Sequence, residues 1–260
     1  MNESLFAYWQ GFTPSGPAPD NAPALRDTPE FVDVLATAFS VVGEDSSILT
    51  GFLTKGNTKA TILADTEFLR GRGQKVITSL NGNADVPWST LKPTLFAKSV
   101  KALAAEWQLD GIDLDYETAG TVPGTAFADV IKALRDTMGE DFIISYPAYL
   151  PFRDQFLSQV VDEVSWVMTM AYWNDYEWAV GLYKEYAEIV GDEKVMIGIK
   201  PGRGGHDQST PITAVPKLAA YEPQGSSKAG VMIYSLSIDY EQYTDKPRFA
   251  WADLVHTNMP

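Results

Sequence analysis

Residues 109–117 read Leu109-Asp110-Gly111-Ile112-Asp113-Leu114-Asp115-Tyr116-Glu117, an alternation of apolar and acidic side chains with a period of two. Successive side chains of a strand point to opposite faces, so Asp113, Asp115 and Glu117 share one face and Ile112, Leu114 and Tyr116 the other. At about 3.3 Å per residue, neighbours in the acidic row stand about 6.6 Å apart. Working outward, further short β-rich runs fall at 4–10, 31–42, 75–81, 141–147, 164–172, 194–200 and 230–236, and the run around the acids spans 110–116. Between them, helical spacing covers 59–71, 91–107, 124–138, 152–160, 178–190, 211–221 and 246–256, while the Pro- and Gly-rich stretch 11–30 reads as loop.

Strands that are nearly continuously apolar and alternate with helices predict a parallel sheet covered by helices. Eight units of about 32 residues match the (β/α)8 barrel of ~250 residues. A doubly wound sheet would carry a Gly-rich phosphate turn after its first strand, and here that strand runs into Tyr8-Trp9-Gln10-Gly11-Phe12. The expectation is a single (β/α)8 TIM barrel over residues 1–260, an α/β fold of one catalytic domain. The stretch between the last two strands is too short for a sizeable inserted α+β domain. In such a barrel the apolar face of 110–116 packs on helices and the acids point inward, with Glu117 uppermost at the carboxyl end, where barrel enzymes keep their active sites.

The formal net charge of −14, from 20 Lys and Arg against 34 Asp and Glu, repels phosphate backbones and anionic headgroups, so no nucleic acid and no membrane partner is expected. The chain has no Cys and two His, which excludes a thiolate site, a cysteine nucleophile and a zinc cage. Chemistry must come from carboxylates, hydroxyls or backbone. No basic segment followed by a small-residue cleavage site opens the sequence.

The acidic row has three readings at this stage. One is a solvated acidic edge; a second is a Mg²⁺ or Ca²⁺ site made of oxygen ligands. The third is acid/base work on a sugar, in which neighbouring carboxylates keep one carboxyl protonated so that it can deliver a proton to a leaving oxygen. No G-x-S-x-G elbow supports serine hydrolysis.

The motif D-x-x-D-x-D-x-E is met in full by Asp110, Asp113, Asp115 and Glu117 on the fourth strand, and in this the chain resembles glycoside hydrolase family 18, the chitinases and endo-β-N-acetylglucosaminidases. The likeness extends to Phe6-Ala7-Tyr8-Trp9 on strand one and Met168-Thr169-Met170-Ala171-Tyr172 on strand six. It implies substrate-assisted retention, an exception to the two-carboxylate scheme of most glycosidases. Glu117 would then be the general acid, Asp115 would orient the substrate's own 2-acetamido nucleophile, Asp113 would share a proton with Asp115 from deeper in the barrel, and Tyr172 would contact the acetamido group. Tyr8 and Ser79 would line the floor around Asp113. No metal or organic cofactor is implied.

Three departures from that family stand out. The S-x-G-G of strand three reads Ser79-Leu80-Asn81-Gly82; Tyr172 is followed by Trp173, with Asn174 and Asp175 displaced by one and two places; and Tyr234 on strand eight stands where a Trp is usual. Trp9, Trp173 and Tyr234 fall at predicted carboxyl ends of strands and, with Asn81 and Asn174, join Tyr8 and Ser79 as expected substrate contacts, whereas Trp88, Trp107, Trp178 and Trp251 read as packing. The reading is a retaining endo-glycosidase of chitin or chitooligosaccharides. Its alternatives are cleavage of the chitobiose core of N-glycans and a non-catalytic sugar-binding protein. A monomer is expected, and secretion follows from the substrate.

Overall fold

The computed structural model describes residues 3–13, 16–17, 19–43, 45–50, 57–80, 88–117, 122–173, 175–203 and 208–260. Its centre is a closed parallel barrel of β1 (Ser4–Gln10), β2 (Val34–Val42), β3 (Lys75–Leu80), β4 (Gly111–Leu114), β5 (Ile143–Ala148), β6 (Trp166–Thr169), β7 (Val195–Ile199) and β8 (Gly230–Ile233). Each strand pairs with the next, and β1 closes the ring by pairing with both β2 and β8. All eight predicted strands are present. No sizeable extra domain separates β7 from β8, since the described residues between them hold only α5 (Val215–Ala219).

Helices α1 (Lys59–Gly71), α2 (Pro93–Trp107), α3 (Thr125–Met138), α4 (Tyr176–Val190) and α7 (Ala250–Asn258) cover the barrel, with a single turn, α6 (Glu241–Thr244), before the last. Their ends follow local chemistry. Thr58 caps α1 by accepting from the Thr61 amide at 3.1 Å, Pro93 opens α2 where its missing N–H costs nothing, and Asp175 caps α4 by accepting from the Trp178 amide at 2.9 Å. The spacing of Phe96, Val100, Leu103 and Trp107 turns one stripe of α2 onto the sheet, and each such side chain contributes about 1.5–3 kcal/mol when fully buried.

The barrel departs from eight regular units in several places. After β1 the chain forms a short hairpin (Phe12–Thr13 with Gly16–Pro17) and a 3₁₀ turn at Leu25–Asp27, as its Pro and Gly content foretold. After β5 the expected helix over 152–160 is a 3₁₀ helix, Gln155–Gln159, entered through a tight turn in which the Asp154 amide donates to Pro151 O at 3.2 Å. The 211–221 helix also contracts to Val215–Ala219, after a turn in which the Ala214 amide donates to Pro211 O at 2.8 Å.

Two apolar layers result. Phe6, Tyr8, Ile77, Ile143, Met168 and Met232 fill the barrel, while Leu5, Trp9, Ile112, Leu114 and Val231 belong to the larger core between sheet and helices. Gly111 starts β4 because nothing larger fits: a Cβ there would lie 2.5 Å from Ile143 Cβ and 2.6 Å from its carbonyl oxygen. That close approach sets the register of Asp113 against β5.

Candidate active site

The four acids of 110–117 divide by height. Asp110 lies below the barrel, where its carboxylate accepts from the Val76 amide at 2.9 Å and pairs with Arg70 at 3.3 Å, so it ties β4 to β3 and takes no part in the groove. Asp113 is fully buried inside the barrel, Asp115 is 4% exposed, and Glu117 opens to solvent at the top. Ile112, Leu114 and Tyr116 pack outward as the alternation requires. Regular strand ends at Leu114, three residues short of Glu117, although the Asp115 amide still donates to Leu80 O at 3.2 Å.

Asp113 is held by three hydroxyls. Tyr8 Oη donates to Oδ2 at 2.8 Å, Ser79 Oγ to Oδ2 at 2.6 Å and Ser145 Oγ to Oδ1 at 2.7 Å. Ser79, Asp113 and Ser145 are register partners on β3, β4 and β5, so the three side chains meet at one level, and Tyr8 reaches them across the barrel. Burial pushes the Asp113 carboxyl up to about 6 against the pull of these three donors.

Above that floor, Asp115 hydrogen-bonds Glu117. The Glu117 carboxyl is raised, first by the withdrawal of water from its surroundings, and held back by Asp115 and by the positive charge of Arg153. A carboxylic acid above its ordinary range next to a hydrogen-bonding acid is what proton delivery to an ether oxygen demands.

These groups line a groove of about 340 Å³ at the carboxyl ends of the strands, in the range of small-ligand sites. Tyr8, Asp115, Glu117, Tyr172, Trp173 and Tyr234 all border it. Tyr172 is buried with its hydroxyl 3.8 Å from Met232 Sδ, and both burial and the nearby acids push its phenol well above the ordinary range. Trp173 is 43% exposed, with its ring centroid 5.4 Å from Tyr149. Tyr234 receives a hydrogen bond from Gln10 Nε2 at 2.8 Å, and Ser235 holds the other end of that amide at 2.9 Å.

One expected contact is corrected. Trp9 does not face the groove: it is 2% exposed in the outer core and its indole N–H donates to Pro23 O at 3.0 Å. Tyr8 points inward, so its neighbour on the strand must point outward. Asn81 and Asn174 lie outside the described residues. Of the tryptophans read as packing, Trp88, Trp107 and Trp251 are buried, whereas Trp178 is 39% exposed beside Tyr149, 6.0 Å between ring centroids.

The sequence reading missed Ser145, Gln10 and the Arg153–Asp154 turn. Arg153 borders the groove, and Asp154 behind it accepts hydrogen bonds from the Tyr146 and Tyr186 hydroxyls. A polar residue inside an otherwise apolar strand, as in Ile143-Ile144-Ser145, was the available signal for the first. Among the described residues, no three carboxylates or imidazoles converge as a metal cage, since the acids of the row are stacked in height.

Residues 5–233 match the family model described as the endo-beta-N-acetylglucosaminidase EndoS TIM-barrel domain. A curated relative, Chitinase 2 of Rhizopus oligosporus, is 27% identical over 201 residues, covering 67% of this chain and 36% of that protein; the chain spans about a third of its length. Among solved structures, the putative chitinase A of Streptomyces coelicolor superposes with a TM-score of 0.77 at 18% identity, over 98% of both chains. A family 18 chitinase from Chromobacterium violaceum gives 0.76 at 19% identity, over 98% of this chain and 83% of that one. A fungal endo-beta-N-acetylglucosaminidase of the same family gives 0.73 at 17% identity, over 98% of both. These likenesses show a shared fold.

Proposed function

Because the chain belongs to the family of the endo-beta-N-acetylglucosaminidase EndoS TIM-barrel domain, within the hydrolases of glycoside hydrolase family 18, we propose that it cleaves β-1,4 bonds next to N-acetylglucosamine in chitin or chitooligosaccharides, with retention. The observation that carries this reading is the raised Glu117 carboxyl hydrogen-bonded to buried Asp115 at the groove mouth, with Tyr172 and Tyr234 forming an aromatic floor beside it.

In this reading Glu117 gives its proton to the glycosidic oxygen as the bond to the anomeric carbon breaks and its electron pair goes to the leaving oxygen. The acetamido carbonyl oxygen of the same sugar attacks that carbon from the opposite face, and the ring that forms is an oxazolinium ion. Asp115 accepts from the acetamido N–H and carries the compensating negative charge. Water then adds to the anomeric carbon, Glu117 takes its proton, and two inversions leave the configuration retained. A polymer of this kind is met outside the cell, so secretion belongs to the same reading.

The match to the EndoS model supports a second reading, in which the bond cut is the chitobiose linkage of an N-glycan. The chemistry at Glu117 is identical and only the sugars beyond the bond differ.

Mass spectrometry of products from N-acetylchitohexaose, in water enriched in heavy oxygen, tests both. Shorter oligomers carrying one heavy oxygen are expected with the wild type, and Glu117→Gln should lower turnover about 10²–10⁴-fold. Intact hexaose together with a deglycosylated high-mannose glycoprotein would move the substrate to N-glycans. Survival of both substrates with a folded wild type would overturn the hydrolase reading.

A further inference from the structure

Tyr8 and Ser79 crowd one oxygen of Asp113 and leave the other, Oδ1, to Ser145. Ser145 is fully buried on β5, directly beside Asp113 in the parallel register. A carboxylate one row higher, about 6.6 Å along the strand, can share a proton with Asp113 only through an oxygen turned up toward it. The Ser145 hydroxyl takes one acceptor position of Oδ1 and fixes the plane of the Asp113 carboxyl, and Asp115 hydrogen-bonds to Glu117.

We propose that Ser145 is a positioning residue of the acid row, which, by holding Asp113 Oδ1, turns Asp115 toward Glu117 before substrate arrives. The proposal rests on the reading of Glu117 as proton donor. It also replaces a resting Asp113–Asp115 pair by a resting Asp115–Glu117 pair. The latter is faced by Asp113 from below, Tyr8 from β1, Arg153 from the turn after β5, Tyr172 from the end of β6 and Tyr234 from the end of β8. Of these, Asp113 is the one that Ser145 holds. Contact with Asp115 holds the Glu117 carboxyl down, so a Glu117 that loses this partner titrates at higher pH.

Carboxyl-carbon NMR titration of the wild type, Ser145→Ala, Ser145→Cys and Ser79→Ala decides the matter without turnover, with the Glu117 signal assigned by its loss in Glu117→Gln. Ser145→Ala should move the Glu117 titration up by about half a pH unit or more, and Ser145→Cys, a weak donor, by less. Ser79→Ala should leave it in place, because Tyr8 still holds Oδ2. On N-acetylchitohexaose, Ser145→Ala should lower kcat about tenfold with KM within about twofold of the wild type. An unmoved Glu117 titration in Ser145→Ala, or equal movement in Ser79→Ala, overturns the assignment. A wild type that cuts no substrate sinks the hydrolase reading alone, and the titration still decides the role of Ser145.

Discussion

Tyr234 stacks on Tyr172 with ring centroids 5.6 Å apart and planes 15° from parallel, and Tyr8 closes on Tyr234 edge-on at 5.5 Å. The three rings form a continuous floor where a single larger indole is usual in family 18. Gln10 donates to the Tyr234 hydroxyl at 2.8 Å and tethers the ring in this floor.

Tyr234→Ala should therefore lower kcat/KM on a chitooligosaccharide about 10–100-fold, chiefly through KM, as a stacking surface and its aromatic contacts are lost together. Tyr234→Phe keeps the stack and gives up one hydrogen bond, a loss of about 0.5–1.5 kcal/mol, read as a small drop in thermal stability with kcat/KM nearly intact. Steady-state kinetics and melting curves of the two variants separate these effects. Equal losses in both would show that the hydroxyl, and not the ring, is what substrate needs.

Trp9 sits in the outer core and Trp173 borders the groove, and the two should behave in opposite ways. Trp9→Ala empties a site in the outer core and should cost about 3–5 kcal/mol of unfolding free energy while KM stays unchanged. Trp173→Ala should change stability by no more than about 0.5 kcal/mol and raise KM. Urea unfolding alongside kinetics makes the comparison, and a KM effect from Trp9→Ala would count against its outward placement.

The pH dependence of stability should carry the mark of Asp113. Burial pushes its folded carboxyl up to about 6 from the ordinary 3.8, so the folded state holds the proton more tightly than the unfolded chain. Such a group's contribution is whole below about pH 4 and is lost as pH rises through about 6, which amounts to about 3 kcal/mol. Asp239, buried and raised to about 7, adds a loss of the same sign at slightly higher pH. Asp113→Asn should flatten the fall between pH 4 and 7 by the Asp113 share and leave the Asp239 share. Denaturant unfolding at several pH values checks it, and an identical slope in wild type and variant would show that Asp113 is already ionised in the folded protein at pH 4.

The strands and the acid row were legible because both are local patterns: period two over Gly111–Leu114, and apolar runs between turn signals elsewhere. Asp113, Asp115 and Glu117 needed nothing beyond alternation to be placed on one face. The remainder depended on which residue of one strand stands beside which residue of the next. Ser145 meets Asp113 through the β4–β5 register, and Gln10 meets Tyr234 across the seam of the barrel; no local pattern contains either pairing. Trp9 failed for a related reason, since a position near a strand's carboxyl end does not say which face it serves until its neighbour Tyr8 is known to point inward. The 3₁₀ helix after β5 shows a different limit, in which apolar spacing was right and length was not.

The seam between β1 and β8 has a consequence for how the aromatic floor comes into being. Lys228 donates to Glu3, and Ser235 to Gln10, across 225 residues of chain in each case. Contacts this distant in sequence form late, because the loop they close must be ordered before they repay it. Tyr8 is carried on β1, Tyr172 by β6 and Tyr234 by β8, so the aromatic floor has no partial version. Activity toward sugar thus reports the arrival of the last strand, and recovery of turnover during refolding should lag behind recovery of helical signal.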